Sequence, residues 1–281
     1  MPEPTNCAAV IPCFNESASI AALVRAVCRQ LSPVLVVDDG SADNTAALAQ
    51  AAGAVVIRHE RNFGKGAALK SGLSHALKLG CEWAVTLDGD GQHAPEDLPA
   101  LWQCAEETGA LLVIGNRMNE AWKIPWLRRR VNYWMSRKIS QRAGWHLPDT
   151  QSGFRLIHLR TWAALALNTT HFEIESEMLT AFLAARRRVE FMPIRVNRSH
   201  RRSRICPVAD SWRWWRWWRK LARLPVACHP AGSAIQATLP EAAQMEKLTL
   251  AGARLVPSRS ASADTSRPGF PSGNRRPRAA S

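Results

Sequence analysis

Two aspartates one residue apart stand at the end of an apolar run in the segment WAVTLDGDGQHAPEDL, residues 83–98. Asp88 and Asp90 have a glycine between them and another after them. Because Asp and Gly favour turns, the segment could be a turn and nothing more. The chemical alternative is a divalent-cation site, since a hard cation binds oxygen ligands and makes paired carboxylates favourable.

Two more polar clusters follow apolar runs: Asn15 with Glu16, and Asp38 with Asp39. The runs that predict strands are 7–12, 34–37, 55–57, 83–87 and 111–115, with helical patterns between them. Asn15 is predicted to cap the first helix. Continuous apolar strands that alternate with helices predict an α/β fold with a mainly parallel sheet covered on both faces. Ligands of such sheets bind beyond the carboxyl ends of the strands, so the polar clusters are predicted to form one site.

The composition limits the class of protein. With 281 residues, the chain is long enough for one large domain or two small ones. No apolar stretch approaches the roughly 18 residues that span a bilayer. The N-terminus MPEPTN lacks the basic and apolar regions of a signal peptide. Seven scattered cysteines without a C-x-x-C pair favour a reducing cytosol over a disulfide framework or a cysteine zinc site.

The net charge of +14 is unevenly distributed along the chain. Residues 1–116 contain 7 Lys and Arg against 13 Asp and Glu, whereas residues 117–281 contain 30 against 10. An acidic half that could hold a cation is therefore followed by a basic half that could meet an anionic partner. Nucleic acid, a phosphorylated lipid and a membrane surface are the candidate partners.

Six short segments resemble, in order, the motifs of family 2 glycosyltransferases with the GT-A fold. They are VIPCFNE, VVDDGSADNT, NFGKGAAL, LDGDGQH, DTQSGFRL and FEIESEML. The resemblance is closest to the polyprenyl-phosphate (dolichyl-phosphate) mannose and glucose synthases, and it covers roughly residues 7–205. It implies a GT-A catalytic domain over residues 1–210, with a Rossmann-like, mainly parallel sheet flanked by helices.

In this family a D-x-D motif holds Mg²⁺ or Mn²⁺ on the diphosphate of a nucleotide sugar. The resemblance therefore implies a metal site at Asp88 and Asp90, with Gln92 as a third ligand. The cation would act as a Lewis acid toward the leaving diphosphate. His93 could also bind a metal, but it is predicted to be a neutral surface histidine.

The other strand-end clusters are implied to bind the nucleotide. Besides Asp88, the implied nucleotide-sugar-binding residues are Pro12, Phe14, Glu16, Asp38, Asp39 and Lys65. Asp39 is expected to accept hydrogen bonds from a base or ribose, whereas Asp38 could instead brace its loop. UDP- and GDP-sugars both fit this pattern. The segment NFGKG lacks the spacing of a Walker A loop, which disfavours ATP hydrolysis.

The acceptor decides which residues catalyse transfer. A hydroxyl acceptor needs a carboxylate base, for which Asp149 is the best candidate. A phosphate acceptor is already anionic and needs cationic side chains to position it. The candidates for that role are Arg117, Lys123, Arg155 and Arg202. Asp90, Asp149 and Arg117 are the predicted catalytic residues, while the arginines at 128–130 could form a solvated helix face. The glutamates at 173, 175 and 177 are interpreted mainly as charges at a helix start.

Residues 211–224, SWRWWRWWRKLARL, predict an amphipathic helix. A basic arc with Arg213, Arg216 and Lys220 opposes a tryptophan-rich arc, which favours an interfacial helix on an anionic membrane. Packing against the domain core is the alternative. Residues 225–281 are rich in Pro, Ser, Ala and Arg and are predicted to be disordered. The expected location is cytoplasmic, on the inner face of the membrane.

Transfer of a sugar from a nucleotide sugar to a polyprenyl phosphate is the leading functional hypothesis. A hydroxyl of a lipid or cell-envelope glycan is the alternative acceptor. A sugar-phosphate nucleotidylyltransferase would need a G-x-G-x-R loop after the first strand, where PCFNES stands. A basic nucleic-acid-binding module is the non-enzymatic alternative, but it leaves the strand-end carboxylates unexplained, and no nucleic-acid partner is expected.

Overall fold

The computed structural model describes residues 6–197 and 207–221 of the chain. Arg202, the end of the predicted amphipathic helix (222–224) and the segment 225–281 lie outside the described residues. Within the described ranges, no helix is long and apolar enough to cross a membrane.

Strands and helices alternate along the described chain. The strands are β1 (Cys7–Cys13), β2 (Val34–Asp38), β3 (Val55–Arg58), β4 (Trp83–Thr86), β5 (Leu112–Asn116), β6 (Arg155–His158) and β7 (Val189–Pro193). The helices are α1 (Ile20–Cys28), α2 (Thr45–Ala51), α3 (Lys65–Lys78), α4 (Leu98–Thr108), α5 (Trp126–Ala143), α6 (Leu159–Ala163), α7 (Ile174–Ala184) and α8 (Pro207–Leu221). Two 3-10 helices, Pro95–Asp97 and Met118–Lys123, precede α4 and α5. The five predicted strands are present, with ends that differ by one residue.

The strands form one sheet in the order β3-β2-β1-β4-β6-β5-β7. Only β6 runs antiparallel to its neighbours β4 and β5 in this sheet of described residues, which confirms the mainly parallel prediction. Arg155 at the start of β6 pairs with Thr86 at the end of β4. The residues just before β6 therefore lie at the carboxyl edge of the parallel strands.

Strand β1 shows why the sheet is covered on both faces. All seven of its residues are buried, and successive side chains point to opposite faces. Ala9 and Ile11 join the apolar cluster formed with α1, α2 and α4. Ala8 and Val10 join the cluster formed with α3, α5, α7 and α8. This arrangement explains the continuous apolar runs in the sequence.

Helix α8 packs on the domain core through part of its tryptophan-rich arc. Trp214 is 2% exposed, its ring lies 5.2 Å from Trp134 of α5, and its Nε1 donates to Oγ of Ser176 at 2.9 Å. Trp217 and Trp218 also pack against this core. The expectation that the whole arc faces lipid is therefore wrong for these three tryptophans, because α5 and α7 offer them an apolar surface.

The outer side of α8 keeps an aromatic and basic character. Trp212 and Trp215 are exposed, as are Arg216 and Arg219. The Arg216 guanidinium lies 5.1 Å from the ring centre of Trp212, and that of Arg219 lies 4.7 Å from the ring centre of Trp215. The exposed side of α8 therefore carries both aromatic and basic side chains.

Candidate functional site

The loops that follow β1, β2 and β4 are bonded to one another at the carboxyl edge of the sheet. The N–H of Asp39 donates to the carbonyl of Cys13 at 2.8 Å. The hydroxyl of Ser19 donates to the carbonyl of Gly89, also at 2.8 Å. The three polar clusters of the sequence are therefore held together at this edge.

Asn15 belongs to this bonded loop system rather than to α1. It has a positive φ of 53°, and its Oδ1 accepts from the N–H of Ala42 at 2.7 Å. Helix α1 begins at Ile20, so the prediction that Asn15 caps it is wrong. Asn15 instead ties the first loop to the second.

A largely buried ion triplet lies at the first aspartate of the D-x-D segment. Nζ of Lys65 lies 2.6 Å from Oδ1 of Asp88 and 2.5 Å from Oε1 of Glu175. Burial disfavours each charge, but the carboxylates of Asp88 and Glu175 raise the pKa of Lys65 above its usual value. The pKa of Asp88 is lowered in turn, because the nearby Lys65 charge outweighs the effect of burial. Asp88 is therefore ionised and already paired.

Glu175 is a site residue that sequence reasoning missed. It is 4% exposed and stands in the first turn of α7. The only signal was its place in an alternating row of glutamates, which also suits a helix start. Glu177, from the same row, instead accepts from the N–H groups of Asn168 and Thr169. Only the fold shows which of these glutamates turns toward Lys65.

The pKa of Asp90 is shifted in the opposite direction from that of Asp88. Its Oδ1 accepts from the N–H of Gln92 at 3.1 Å. Burial, and then the neighbouring charge of Asp88, raise the pKa of Asp90. A bound cation would relieve this repulsion. The donor set of Asp90, Asp88 and the Gln92 amide fits a hard cation that also takes phosphate oxygens from its substrate. In the described ranges, no group of three or more His, Cys, Asp or Glu side chains is arranged to hold a metal ion.

His93 is buried beneath the protein surface and is hydrogen-bonded to the backbone of the D-x-D segment. It is 2% exposed, its ring stacks on Phe154 at 5.2 Å, and its Nδ1 accepts from the N–H of Asp88 at 3.2 Å. Burial lowers the pKa of His93 to about 4, so the ring is neutral at pH 7. The prediction of a neutral histidine agrees with this environment, but the surface position is wrong.

Two glycines let the backbone approach the aspartates. Gly91 has a positive φ of 72°, a conformation that L side chains rarely adopt. A Cβ on Gly153, in the segment before β6, would lie 2.5 Å from Oδ1 of Asp88. The glycine of the DTQSGFRL segment thus leaves room for the first carboxylate.

Arg117 and Asp149 form a buried two-point ion pair. Nε of Arg117 lies 2.7 Å from Oδ2 of Asp149, and Nη2 donates to Oδ1 at 2.9 Å. The backbone N–H of Arg117 also donates to Oδ2 at 3.2 Å. Burial would raise the pKa of Asp149, but the Arg117 charge and these hydrogen bonds lower it. Two of the three predicted catalytic residues, Arg117 and Asp149, are therefore bonded to each other.

Arg155 is placed in the interior of the protein. It is 1% exposed, and it donates to the carbonyls of Ser152, Glu175 and Thr150 at 2.7–2.9 Å. Burial lowers the pKa of Arg155 to about 10. Its guanidinium braces the turn before β6 and the start of α7, so the structure argues against the predicted contact with an acceptor phosphate.

Arg128 has a different environment from Arg129 and Arg130, its neighbours in the arginine run of α5. Arg129 and Arg130 are exposed, as the solvated-face interpretation predicts. The Nε of Arg128, by contrast, is buried and has no hydrogen-bond partner among the described residues. Burial and then the charge of Arg117 lower the pKa of Arg128, while Asp88 and Asp90 oppose this shift. Arg128 therefore lies close enough to the D-x-D segment to interact with its charges.

Lys123 is the last residue of the 3-10 helix that precedes α5. Its Nζ lies 2.7 Å from Oε1 of Glu120 and 5.3 Å from the ring centre of Trp122. The ammonium is partly exposed, so it keeps contact with water. This position just before α5 is compatible with the predicted role in binding an acceptor phosphate.

Asp38 and Asp39 have different surroundings. Oδ1 of Asp38 accepts from the N–H of Ser41 at 3.1 Å, which favours the loop-bracing alternative. Asp39 is 3% exposed and accepts from the N–H groups of Phe63 and Gly64 at 3.0 and 2.8 Å. The segment 59–64 thus folds around the Asp39 carboxylate.

The remaining predicted nucleotide residues lie on and just after β1. Pro12 is buried in the strand, and Phe14 is 36% exposed. Glu16 is 9% exposed, and its N–H donates to Oγ1 of Thr45 at 2.7 Å. These residues share the carboxyl edge of the sheet with the D-x-D segment.

This combination of fold and site defines a glycosyltransferase. Residues 8–161 match the family model described as Glycosyl transferase family 2. The chain belongs to this family. Similar solved structures include glucosyl-3-phosphoglycerate synthase from Mycobacterium tuberculosis, with a TM-score of 0.59 and 20% identity over 78% of this chain and 81% of that chain. This likeness shows that the chain has the GT-A fold.

Curated relatives are similar over much of the catalytic region. The UDP-N-acetylglucosamine–dolichyl-phosphate N-acetylglucosaminyltransferase of Methanococcus voltae is 30% identical over 193 residues, 60% of this chain and 77% of the relative. The undecaprenyl-phosphate 4-deoxy-4-formamido-L-arabinose transferase of Sodalis glossinidius is 30% identical over 218 residues, 73% of this chain. This chain spans 59% of the length of the second relative.

Proposed function

We propose that this chain transfers a sugar from a UDP- or GDP-sugar to a polyprenyl phosphate by metal-dependent inverting displacement. An oxygen of the acceptor phosphate forms the new bond to the anomeric carbon, and the bond from that carbon to the nucleoside diphosphate breaks. The attacking oxygen is already anionic, so the step needs no base. Relatives named for transfer to dolichyl phosphate and undecaprenyl phosphate support this acceptor class.

The observation that carries the choice of acceptor is the Arg117–Asp149 pair. Asp149 is the best candidate for the base that a hydroxyl acceptor would need, but Arg117 holds both of its oxygens. A carboxylate with a lowered pKa is a weak base. Arg128 has a buried N–H donor without a partner among the described residues, and it lies near the charges of Arg117 and Asp149. An anionic acceptor would satisfy this donor.

The proposed binding of the sugar donor rests on the hydrogen-bonded loops that follow β1, β2 and β4. Asp39 and Glu16 would contact the nucleoside, and Asp90, Asp88 and Gln92 would hold Mg²⁺ or Mn²⁺. When bound, the cation supplies Lewis-acid stabilisation of the leaving diphosphate. The glucosyl-3-phosphoglycerate synthase of M. tuberculosis, a structural neighbour, was crystallised with Mn²⁺ and UDP, which supports this donor chemistry.

Arg128→Gln tests the acceptor half of the proposal. We expect the KM for a polyprenyl phosphate to rise about tenfold or more, because a charge-assisted hydrogen bond contributes roughly 1.5–3 kcal/mol. The KM for the nucleotide sugar should change far less. Initial rates would be measured with UDP- and GDP-sugars, Mn²⁺, and either a polyprenyl phosphate or the corresponding polyprenol.

Arg25→Gln is the matched control, since this exposed arginine lies on α1 rather than on α5 or α8. It should leave both KM values unchanged. Equal transfer to the polyprenol would refute the phosphate acceptor. An unchanged KM for polyprenyl phosphate in Arg128→Gln would remove Arg128 from the acceptor site.

We also propose that an exposed surface of α5, of the 3-10 helix before it and of α8 attaches the enzyme peripherally to an anionic membrane on its cytoplasmic side. This aromatic–basic surface comprises Trp122, Trp126, Leu127, Arg129, Arg130, Tyr133, Arg137, Trp212, Trp215, Arg216 and Arg219. The large apolar members are 43–65% exposed. Exposed aromatic rings between cationic side chains fit the headgroup region of anionic lipid. Because α5 also carries Arg128, docking of this surface would bring a lipid phosphate close to the site.

Replacing Trp212 and Trp215 together with Ser should weaken binding to anionic vesicles. The apolar rings provide the salt-resistant part of the attachment, so the loss should persist at high salt. Replacing Arg216 and Arg219 with Gln should instead remove a salt-sensitive part of about 1 kcal/mol per residue. Cosedimentation with vesicles of phosphatidylcholine and phosphatidylglycerol would measure both effects.

Leu79→Ser is the control, because Leu79 is 53% exposed at the end of α3, outside the aromatic–basic surface. It should bind vesicles like the unchanged protein. If the double tryptophan variant also binds normally, α8 does not contact the membrane.

A further inference from the structure

A hydrogen-bonded chain of three side chains links the proposed nucleotide site to the middle of α3. Nδ1 of His59 lies 2.7 Å from Oδ1 of Asp39, and Nε2 of the same ring lies 2.9 Å from Oγ of Ser71. The side chains of Asp39 and His59 are 4% and 14% exposed. Ser71 lines a cavity of about 420 Å³ that also includes Ser74. We call these three residues the Asp39–His59–Ser71 chain.

The carboxylate of Asp39 determines which atoms donate and which accept in the Asp39–His59–Ser71 chain. An ionised carboxylate can only accept, so Nδ1 of His59 carries the proton and donates to Asp39. When the ring carries this single proton, Nε2 accepts from the Ser71 hydroxyl. The serine therefore selects the tautomer that presents a donor to Asp39, as the partner of a ring nitrogen commonly does.

Asp39 has little remaining capacity for hydrogen bonds. Its two oxygens offer about four acceptor positions. Phe63, Gly64 and His59 use three of them, two on Oδ1 and one on Oδ2. One position, on Oδ2, is left for an N–H or O–H donor of a nucleoside. Any rotation of the carboxylate would misdirect this position.

We propose that His59 and Ser71 are positioning residues that orient Asp39 for recognition of the nucleoside. This inference rests on the proposed function, in which Asp39 contacts the nucleotide. His59 holds Oδ1, the backbone N–H groups of Phe63 and Gly64 hold both oxygens, and Ser71 holds His59. Ser71 thereby influences nucleotide affinity from a helix that the nucleotide does not need to touch.

The order of side chains is that of a serine-hydrolase triad, but the surroundings of Ser71 argue against acyl transfer. Such enzymes need backbone N–H groups aimed at the developing oxyanion. Ser71 lies within α3 (Lys65–Lys78), where the N–H groups around it are used by the helix. The chain therefore orients Asp39 rather than activating a nucleophile.

Ser71→Ala tests the inference without removing a group from the nucleotide site. We expect the Kd for UDP or GDP, measured by calorimetry with MnCl₂, to rise about 3- to 10-fold, as for one lost hydrogen bond. Ser71→Thr keeps the hydroxyl and should restore affinity to within about twofold. Ser74→Ala, on the same helix and cavity, should have no effect. Alanine favours helices, so the variants should remain folded.

Two further measurements separate positioning from a general structural effect. Imidazole nitrogen shifts in ¹⁵N NMR should report an Nδ1–H tautomer for His59, and Ser71→Ala should alter that signal. In an Asp39→Asn background, Ser71→Ala should cause no additional loss of affinity, since it acts through Asp39.

The outcomes distinguish this inference from the proposed function. If Asp39→Asn leaves UDP and GDP affinity unchanged, the proposed nucleotide contact fails and the positioning role falls with it. If Asp39→Asn weakens binding but Ser71→Ala does not, only the positioning role is overturned. Additive losses in the double variant would also overturn it.

Discussion

Replacing Asp90 with Asn is expected to lower sugar transfer at least about 100-fold, because a Lewis-acid cation contributes several kcal/mol to such a reaction. The same substitution should not lower stability in the absence of metal. Burial and the charge of Asp88 raise the pKa of Asp90, so its carboxylate costs stability in the folded protein at neutral pH. Removing that charge removes the cost. Product formation and thermal unfolding without metal would measure the two effects.

Asp88→Asn is the matched comparison for this prediction. It should also abolish transfer, but it should destabilise the protein by roughly 1–3 kcal/mol, since it removes a charged partner of Lys65. The pKa of Asp88 is lowered, so its ionised form stabilises the fold above the unfolded pKa, and this contribution is lost as the pH falls. Near-normal activity of Asp90→Asn would eliminate the proposed metal ligand.

Replacing Arg117 with Met should destabilise the protein by about 3–5 kcal/mol, because it leaves a buried carboxylate without its charged partner. Asp149 is fully buried and receives three hydrogen bonds from Arg117. Transfer activity should be lost as well, since the guanidinium would no longer be in the site. Urea unfolding at neutral pH would measure the stability change.

The pH dependence of this loss has a definite sign. The pKa of Asp149 is lowered in the folded protein, so the pair stabilises the fold above the unfolded pKa of about 4 and this stability is lost at lower pH. The difference between the two proteins should therefore shrink in acid. Arg129→Met, at an exposed position, should change stability by less than about 0.5 kcal/mol. An equally small effect of Arg117→Met would contradict the proposed strength of the pair.

The sequence by itself determined the fold class and the edge of the sheet that carries the site. Five apolar runs predicted β1 to β5, and β1, β2, β4 and β5 are apolar because they are largely buried. The edge strand β3 is apolar too, although it is half-exposed. The antiparallel β6 and the edge strand β7 carry charged residues and lack such a run. The sequence also indicated a cation site at the D-x-D segment, since two neighbouring carboxylates after a buried strand repel each other unless a positive charge lies between them.

Tertiary structure alone decided how the charges pair. Lys65, Asp88 and Glu175 come from three separate parts of the chain, and no local spacing indicates that they meet. Arg117 likewise reaches Asp149 across 32 positions of sequence. Interactions of this kind depend on the order of the strands, in particular on the insertion of β6 between β4 and β5.

Tertiary structure also decided which side of each helix is buried. Periodicity places Trp214 and Trp215 on one arc of α8, but contact with α5 buries the first and leaves the second exposed. In the same way the Nε of Arg128 is buried while Arg129 is exposed to water. A helical wheel describes the relative directions of side chains, whereas burial depends on the surface that packs against them.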